Sequence, residues 1–270
     1  DRNNNGALDA GDAGTQHSAA NGGLPGVTVT LVGAGPDGIF GNGDDPAPVV
    51  TTTDANGVYT FTDVVIGQNY RIDQTQPDGF GNGLEHPGNS ITLTNLPATG
   101  SINNNFGERL GSLAGFVFED FSSTAANNDN GSFDAGENPI GNVTLTLTGT
   151  DELGNPVTRT VHTAADGSYA FVDLMPAQPG THYTITQTQP AGYVDGRHTP
   201  GNASTLGNAS APNVIDGIGI VPGEAATGYL FGELANATIS GTVYLDRNND
   251  GSQDPGEPGL PGVTVTIEGA

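Results

Sequence analysis

The chain has 270 residues, a formal net charge of -24, 43 glycines, 18 prolines, and neither cysteine nor tryptophan. Such acidity argues against nucleic acid or anionic membrane as a partner and favours divalent cations or simple solvation. The lack of cysteine excludes disulfides and thiolate metal sites, and no apolar run is long enough for a membrane helix. The six basic residues are Arg2, Arg71, Arg109, Arg159, Arg197 and Arg247. Without lysine, no lysine-to-asparagine isopeptide bond can form within the segment.

The chain opens on an Asx-rich run in which Asp1, Asn3, Asn5, Asp9 and Asp12 hold positions 1, 3, 5, 9 and 12 of a twelve-residue loop. Calcium takes six to eight oxygens, and alternating Asx side chains on a turning backbone aim theirs at one centre. The short Asp12 and the neutral Asn5 weaken this copy. Residues 27–32 then alternate apolar and polar with period 2, as a strand with one buried face does. The glycine-rich stretch 35–45 gathers Asp37, Asn42, Asp44 and Asp45. It reads either as a second cation site or as a solvated turn.

Further strands are expected at 113–119, 143–148, 157–163, 168–172, 182–188, 213–221 and 228–233, separated by Gly, Pro and Asx turns. Between the first two lies another loop, with Asn128, Asn130, Asp134 and Glu137 at positions 3, 5, 9 and 12. Its position 1 falls on Ala126, because six extra residues follow Asp120. Either Asp120 folds back to complete the oxygen set or Asp129 substitutes, and Asp120 is the preferred choice.

After a strand expected at 238–245 comes the best-matched loop. Asp246, Asn248, Asp250, Ser252, Asp254 and Glu257 stand at positions 1, 3, 5, 7, 9 and 12, with Gly251 at the sharp turn of position 6. Its four carboxylates repel one another by about 0.8 kcal/mol per pair at roughly 5 Å in water, so without a cation the loop is expected to be loose. A last strand is expected at 263–267.

Internal repetition sets the architecture. Gly115-Phe-Val-Phe-Glu-Asp120 returns 126 residues later as Gly241-Thr-Val-Tyr-Leu-Asp246, and Gln74-Thr-Gln-Pro-Asp-Gly-Phe80 returns as Gln187-Thr-Gln-Pro-Ala-Gly-Tyr193. Phe106-Gly-Glu108 returns as Phe231-Gly-Glu233, and Gly57-Val-Tyr-Thr-Phe61 as Gly167-Ser-Tyr-Ala-Phe171. These boundaries give a first repeat at 1–110 without its opening strand, a complete repeat at 111–235 and the start of a third at 236–270. The fold class is all-β, as tandem immunoglobulin-like (prealbumin-like) β-sandwiches.

The order of these motifs, with Leu24-Pro-Gly-Val27 and its copies, resembles the SdrD B-like domain, the B repeats of serine-aspartate repeat surface proteins. Cna B-type domains share the sandwich. The resemblance implies a calcium-stiffened stalk or filament that is extracellular, secreted or displayed on the cell surface, with Ca2+ in the loops. It also implies neighbouring repeats or like subunits as partners. The expected role is structural and not enzymatic: the chain has no Gly-x-Ser-x-Gly elbow or phosphate-binding loop, and its paired carboxylates already sit at cation spacing. The rival is an adhesin module binding a host or matrix ligand, a glycan or a protein, through a long loop at 195–212. The cut ends leave two readings open: excision from a longer array, or head-to-tail assembly through the strand at 238–245.

Overall fold

A computed structural model describes residues 22–83, 88–121 and 128–268. The chain divides into two compact bodies, Asp1–Ala235 and Asn236–Ala270. The first body carries sixteen strands among its described residues and no helix.

In the first repeat, β1 (Thr28–Gly33), β2 (Val49–Thr52), β3 (Tyr70–Gln74), β4 (Gly81–Asn82), β5 (Ser90–Leu93) and β6 (Glu108–Arg109) form two sheets. One is four-stranded in the order β2-β1-β3-β5, and β4 pairs with β6. The alternation in β1 works as expected: Val29 and Leu31 are buried, and Thr28 and Thr30 beside them are partly exposed. Those two residues meet Tyr70, Ile72 and Leu96 in one core.

The middle repeat is a full sandwich of two five-stranded sheets. Its strands are β7 (Gly111–Glu119), β8 (Asn138–Pro139), β9 (Thr144–Thr150), β10 (Pro156–His162), β11 (Ser168–Leu174), β12 (Tyr183–Gln187), β13 (Tyr193–Thr199), β14 (Asn208–Ala211), β15 (Val214–Ile218) and β16 (Ala225–Ala235). One sheet runs β10-β9-β12-β15-β14, repeating the order of the first repeat's larger sheet. The other runs β11-β7-β16-β13, with β8 paired to β7. Leu113, Leu145, Leu147, Ile185, Ile215, Ile218 and Phe231 are fully buried between them. Each such side chain contributes about 1.5–3 kcal/mol by leaving water, which is how a chain without disulfides holds this fold.

All seven expected strands of the middle repeat are present within a few residues. Three further ones are β8, β13 and β14, and the last two overlap 195–212, which the rival adhesive reading takes as a long loop. The reason is packing: His198 is 8% exposed and Ala203 3% exposed, so this stretch is held against the sandwich. In the second body the strands expected at 238–245 and 263–267 do not form. Only an isolated bridge, Tyr244 to Gly259, is present, and Ile239 and Val265 are 80% and 77% exposed. A strand needs a neighbour for its backbone groups, and the described residues of this body supply none.

Contacts within the first body also join its two repeats. Arg109 donates through Nη2 to the Gly223 carbonyl. A Cβ on Gly81 would lie 2.7 Å from the Pro222 carbonyl oxygen. β7 and β16 run parallel, so both begin at this junction and end together at the opposite pole, where Asp120 N–H donates to the Glu233 carbonyl at 2.9 Å.

Candidate metal centre

At that pole the chain leaves β7 and turns through the loop that ends at Glu137. Asp120, 0% exposed, folds back over it as expected: its Oδ1 accepts from Asn130 N–H at 3.2 Å and its Oδ2 from Gly131 N–H at 2.7 Å. Gly131 has a φ of 76°, a left-handed turn that glycine takes without a Cβ penalty. Asp129 is engaged elsewhere. Its Oδ1 instead accepts from Arg197 N–H at 2.7 Å and ties the loop to β13.

The rest of the oxygen set closes around Asp134. Asn130 Nδ2 donates to Asp134 Oδ2 at 2.8 Å, and Asp134 N–H donates to Glu137 Oε2 at 2.7 Å. Phe133 presses its ring on Phe118 at 5.1 Å between centroids and so anchors the loop to the sheet. Asn128 is exposed. Glu137 is 7% exposed, and its Oε1 is buried without a hydrogen-bond partner. Burial pushes the Glu137 carboxyl above the usual carboxylate range, and the nearby Asp120 and Asp134 charges add to the shift, against the Asp134 N–H. A buried acceptor with no donor, among like charges, is the environment that a cation relieves.

The loop of the second body repeats this arrangement. Gly251 N–H donates to Asp246 Oδ2 at 3.0 Å and Asp254 N–H to Glu257 Oε2 at 3.1 Å. Asn248 Nδ2 reaches Asp250 Oδ2 at 2.8 Å and Asp254 Oδ2 at 2.9 Å, and Ser252 N–H donates to Asp250 Oδ1 at 2.9 Å. Glu257 is 9% exposed.

The tip at 35–45 is also tightly gathered. Asn42 Nδ2 donates to Asp37 Oδ2 at 2.7 Å, and Asp45 Oδ2 accepts from Gly41 N–H at 2.5 Å and Asn42 N–H at 3.2 Å. Asp44 Oδ2 accepts weakly from Asp37 N–H at 3.4 Å, and Asp45 Oδ1 is buried without a partner. Among the described residues no three carboxylate or imidazole side chains converge closely enough to hold an ion by themselves. In each cluster an Asn side chain stands among the carboxylates and donates to one of them through its Nδ2. Asp1, Asn3, Asn5, Asp9 and Asp12 lie outside the described residues.

Sequence reasoning missed a second buried polar feature, present in both repeats. Glu233 on β16 is 0% exposed and accepts from Gln187 Nε2 at 2.5 Å and from Gln189 Nε2. In the first repeat Glu108 accepts from Gln74 Nε2 at 2.7 Å and from Gln76 Nε2. Each trio ties one sheet to the other. The recurring Gln-Thr-Gln-Pro and Phe-Gly-Glu were the available signal, since a glutamate closing an apolar strand needs donors across the core.

Burial raises the Glu233 carboxyl to about 7; the two glutamine amides act against this and Asp195 adds to it. A carboxyl raised above its unfolded value stabilises fully below that unfolded value, and the contribution is lost as pH rises through the folded one. Stability in chelator is therefore expected to fall from pH 4.5 to pH 7 by on the order of 3 kcal/mol. Urea unfolding across that range tests it, with Glu233→Gln removing most of the slope.

Residues 111–219 match the family model of the SdrD B-like domain. The chain is 31% identical over 258 residues to serine-aspartate repeat-containing protein F of Staphylococcus epidermidis, covering 91% of this chain and 13% of that protein. It is also 31% identical over 281 residues to serine-aspartate repeat-containing protein D of Staphylococcus aureus strain Newman, covering 99% of this chain and 19% of that one. The chain thus spans less than a fifth of the length of either relative. Among solved structures, the minor pilin of Streptococcus agalactiae aligns with 81% of this chain and 87% of its own, at 11% identity and a TM-score of 0.30.

Proposed function

Residues 111–219 belong to the SdrD B-like domain family, and from that premise we propose that the chain is a structural segment of a cell-surface tandem-repeat protein, stiffened by calcium bound in its Asx loops. The observation that carries this reading is the repeated loop closure. In two copies the position-12 glutamate accepts from the position-9 N–H, and the position-1 aspartate accepts from the glycine at position 6.

Bound calcium would supply positive charge to carboxylates that otherwise repel. Asp120, Asn130, Asp134 and Glu137 would hold it in the middle repeat, and Asp246, Asn248, Asp250, Asp254 and Glu257 in the third. Asp37, Asn42, Asp44 and Asp45 would make a further site. A site with Kd near 10 μM in about 1 mM calcium contributes on the order of 2.7 kcal/mol, a large share of the roughly 5 to 15 kcal/mol that holds a domain folded.

The role is structural and not catalytic, and the partners are neighbouring repeats or like subunits. The adhesive rival would use 195–212, of which β13 and β14 take up 195–199 and 208–211. Limited proteolysis tests the reading: calcium should protect the loops, and chelator should expose cleavage near residues 128–137 and 246–257. Equal cleavage in both would count against it. Replacing Asp44 and Asp45 with Asn should lower calcium stoichiometry by one ion, and an unchanged stoichiometry would return that tip to a solvated turn.

A further inference from the structure

The first and middle repeats meet across glycines. Residues 77–81 of the first repeat, Pro-Asp-Gly-Phe-Gly, lead into β4, and Gly79 and Phe80 within them are buried. A Cβ on Gly79 would lie 2.6 Å from Glu152 Oε1 and 3.0 Å from Met175 Cγ, and one on Gly223 would lie 3.0 Å from the Gly81 Cα. With the Arg109 guanidinium donating to the Gly223 carbonyl, the turn seats on Glu152, Met175 and Gly223 of the middle repeat. Packing this close passes any change in the seat on to the joint.

Glu152 brings a carboxyl group into that seat. Its Oε1 is buried and has no hydrogen-bond partner. Asp78 faces it from the seated turn and Asp151 from its own turn. Asp151 is 5% exposed, and its Oδ1 accepts from the Leu153 and Asn155 N–H groups at 3.1 and 2.8 Å. From β12 comes the Tyr183 hydroxyl, which donates to the Met175 carbonyl at 2.9 Å and which burial, above all, pushes up to about 12, so it stays neutral. Of the other charged groups at this pole, Arg159 donates to the Val172 and Asp173 carbonyls, and Glu224 accepts from the Ser204 and Val221 N–H groups. Burial pushes the Glu152 carboxyl above the usual carboxylate range, and the Asp78 and Asp151 charges add to the shift.

We infer that the joint between the first and middle repeats is a proton-sensitive hinge, seated while the Glu152 carboxyl is neutral and loosened when it carries charge. A buried carboxylate oxygen without a donor, beside two like charges, is relieved in one of two ways: it takes up a proton, or the turn at 77–81 lifts and lets water in. The first keeps the repeats packed and the second frees them. Below the ordinary carboxylate range the proton is bound in the seated and the open form alike, and seating is fully favoured. That preference is lost as pH rises through the raised value of the seated form. The hinge changes the angle between repeats and not the folding of either. It lies at the pole opposite the loop at 128–137 and does not require calcium.

Distance measurement between spin labels on Thr52→Cys and Thr158→Cys, exposed positions in a chain without cysteine, tests it in chelator. The distance distribution should be narrow at about pH 4.5 and broad at about pH 8. Glu152→Gln, a neutral side chain of nearly the same shape, should keep it narrow at both. Gly81→Val, whose Cβ would meet the Pro222 carbonyl oxygen at 2.7 Å, should make it broad at both. Glu233→Gln should respond to pH as wild type does, which separates the joint from the core carboxyl. A wild-type distribution that is the same at both pH values overturns the inference. So does a Glu152→Gln chain that responds like wild type, a Gly81→Val chain that stays narrow, or a response that Glu233→Gln abolishes.

Discussion

Gly115→Val unfolds the middle repeat. The new Cβ would sit 1.8 Å from the Tyr229 carbonyl oxygen and 2.7 Å from its carbon, and both are backbone atoms that no rotamer change can move. β7 must therefore separate from β16, the pairing that holds the centre of the sheet from Ser112 to Glu119, and Leu113 and Val117 leave a core in which both are fully buried. Overpacking of this kind, with the loss of two buried anchors, costs on the order of 4 kcal/mol or more. Thermal melting followed by tyrosine signal should lose the middle-repeat transition. Gly154→Ala, at a position where an added Cβ meets nothing within 4 Å, should leave that transition in place, at most slightly lowered by the strain of its φ of 84°.

If the middle repeat binds calcium as proposed, Asp120→Ala should abolish that binding, and it should loosen the loop even in chelator. Asp120 joins the end of β7 to the turn, accepting from both the Asn130 and Gly131 N–H groups. Without it two loop N–H groups lose their acceptor in a buried setting, at about 1–3 kcal/mol each, and the oxygen set loses its position-1 charge. Asp120→Asn separates the two effects. An amide of nearly the same shape keeps an acceptor for the loop, so stability in chelator should be mostly retained while calcium affinity falls. If Asp120→Ala bound calcium as wild type does, Asp120 would not be a ligand.

How much was legible beforehand depended on whether the signal was local. Alternation in 143–148 placed a strand because every second residue faces the core, and Leu145 and Leu147 are fully buried. The return of Asp120 across six extra residues was also readable, because Asp120 keeps its place at the end of a Gly-x-Val-x-x-Asp strand. The strand at 193–199 was not, since its polar Asp195, Arg197 and His198 show no period. It forms because β16 supplies a partner edge. Strands expected at 238–245 and 263–267 failed for the converse reason, as good local patterns without a neighbour. The glutamate–glutamine ties went unread because their members lie 46 and 44 residues apart, and only the fold brings them together.

Calcium titration of the chain by calorimetry, with a thermal melt at each end point, is the most direct test. The calcium-stiffened repeat predicts two or more ions bound and a clear rise in melting temperature when they are. No heat of binding at millimolar calcium, with an unchanged melt, would contradict it and leave the loops as acidic turns held by their own hydrogen bonds.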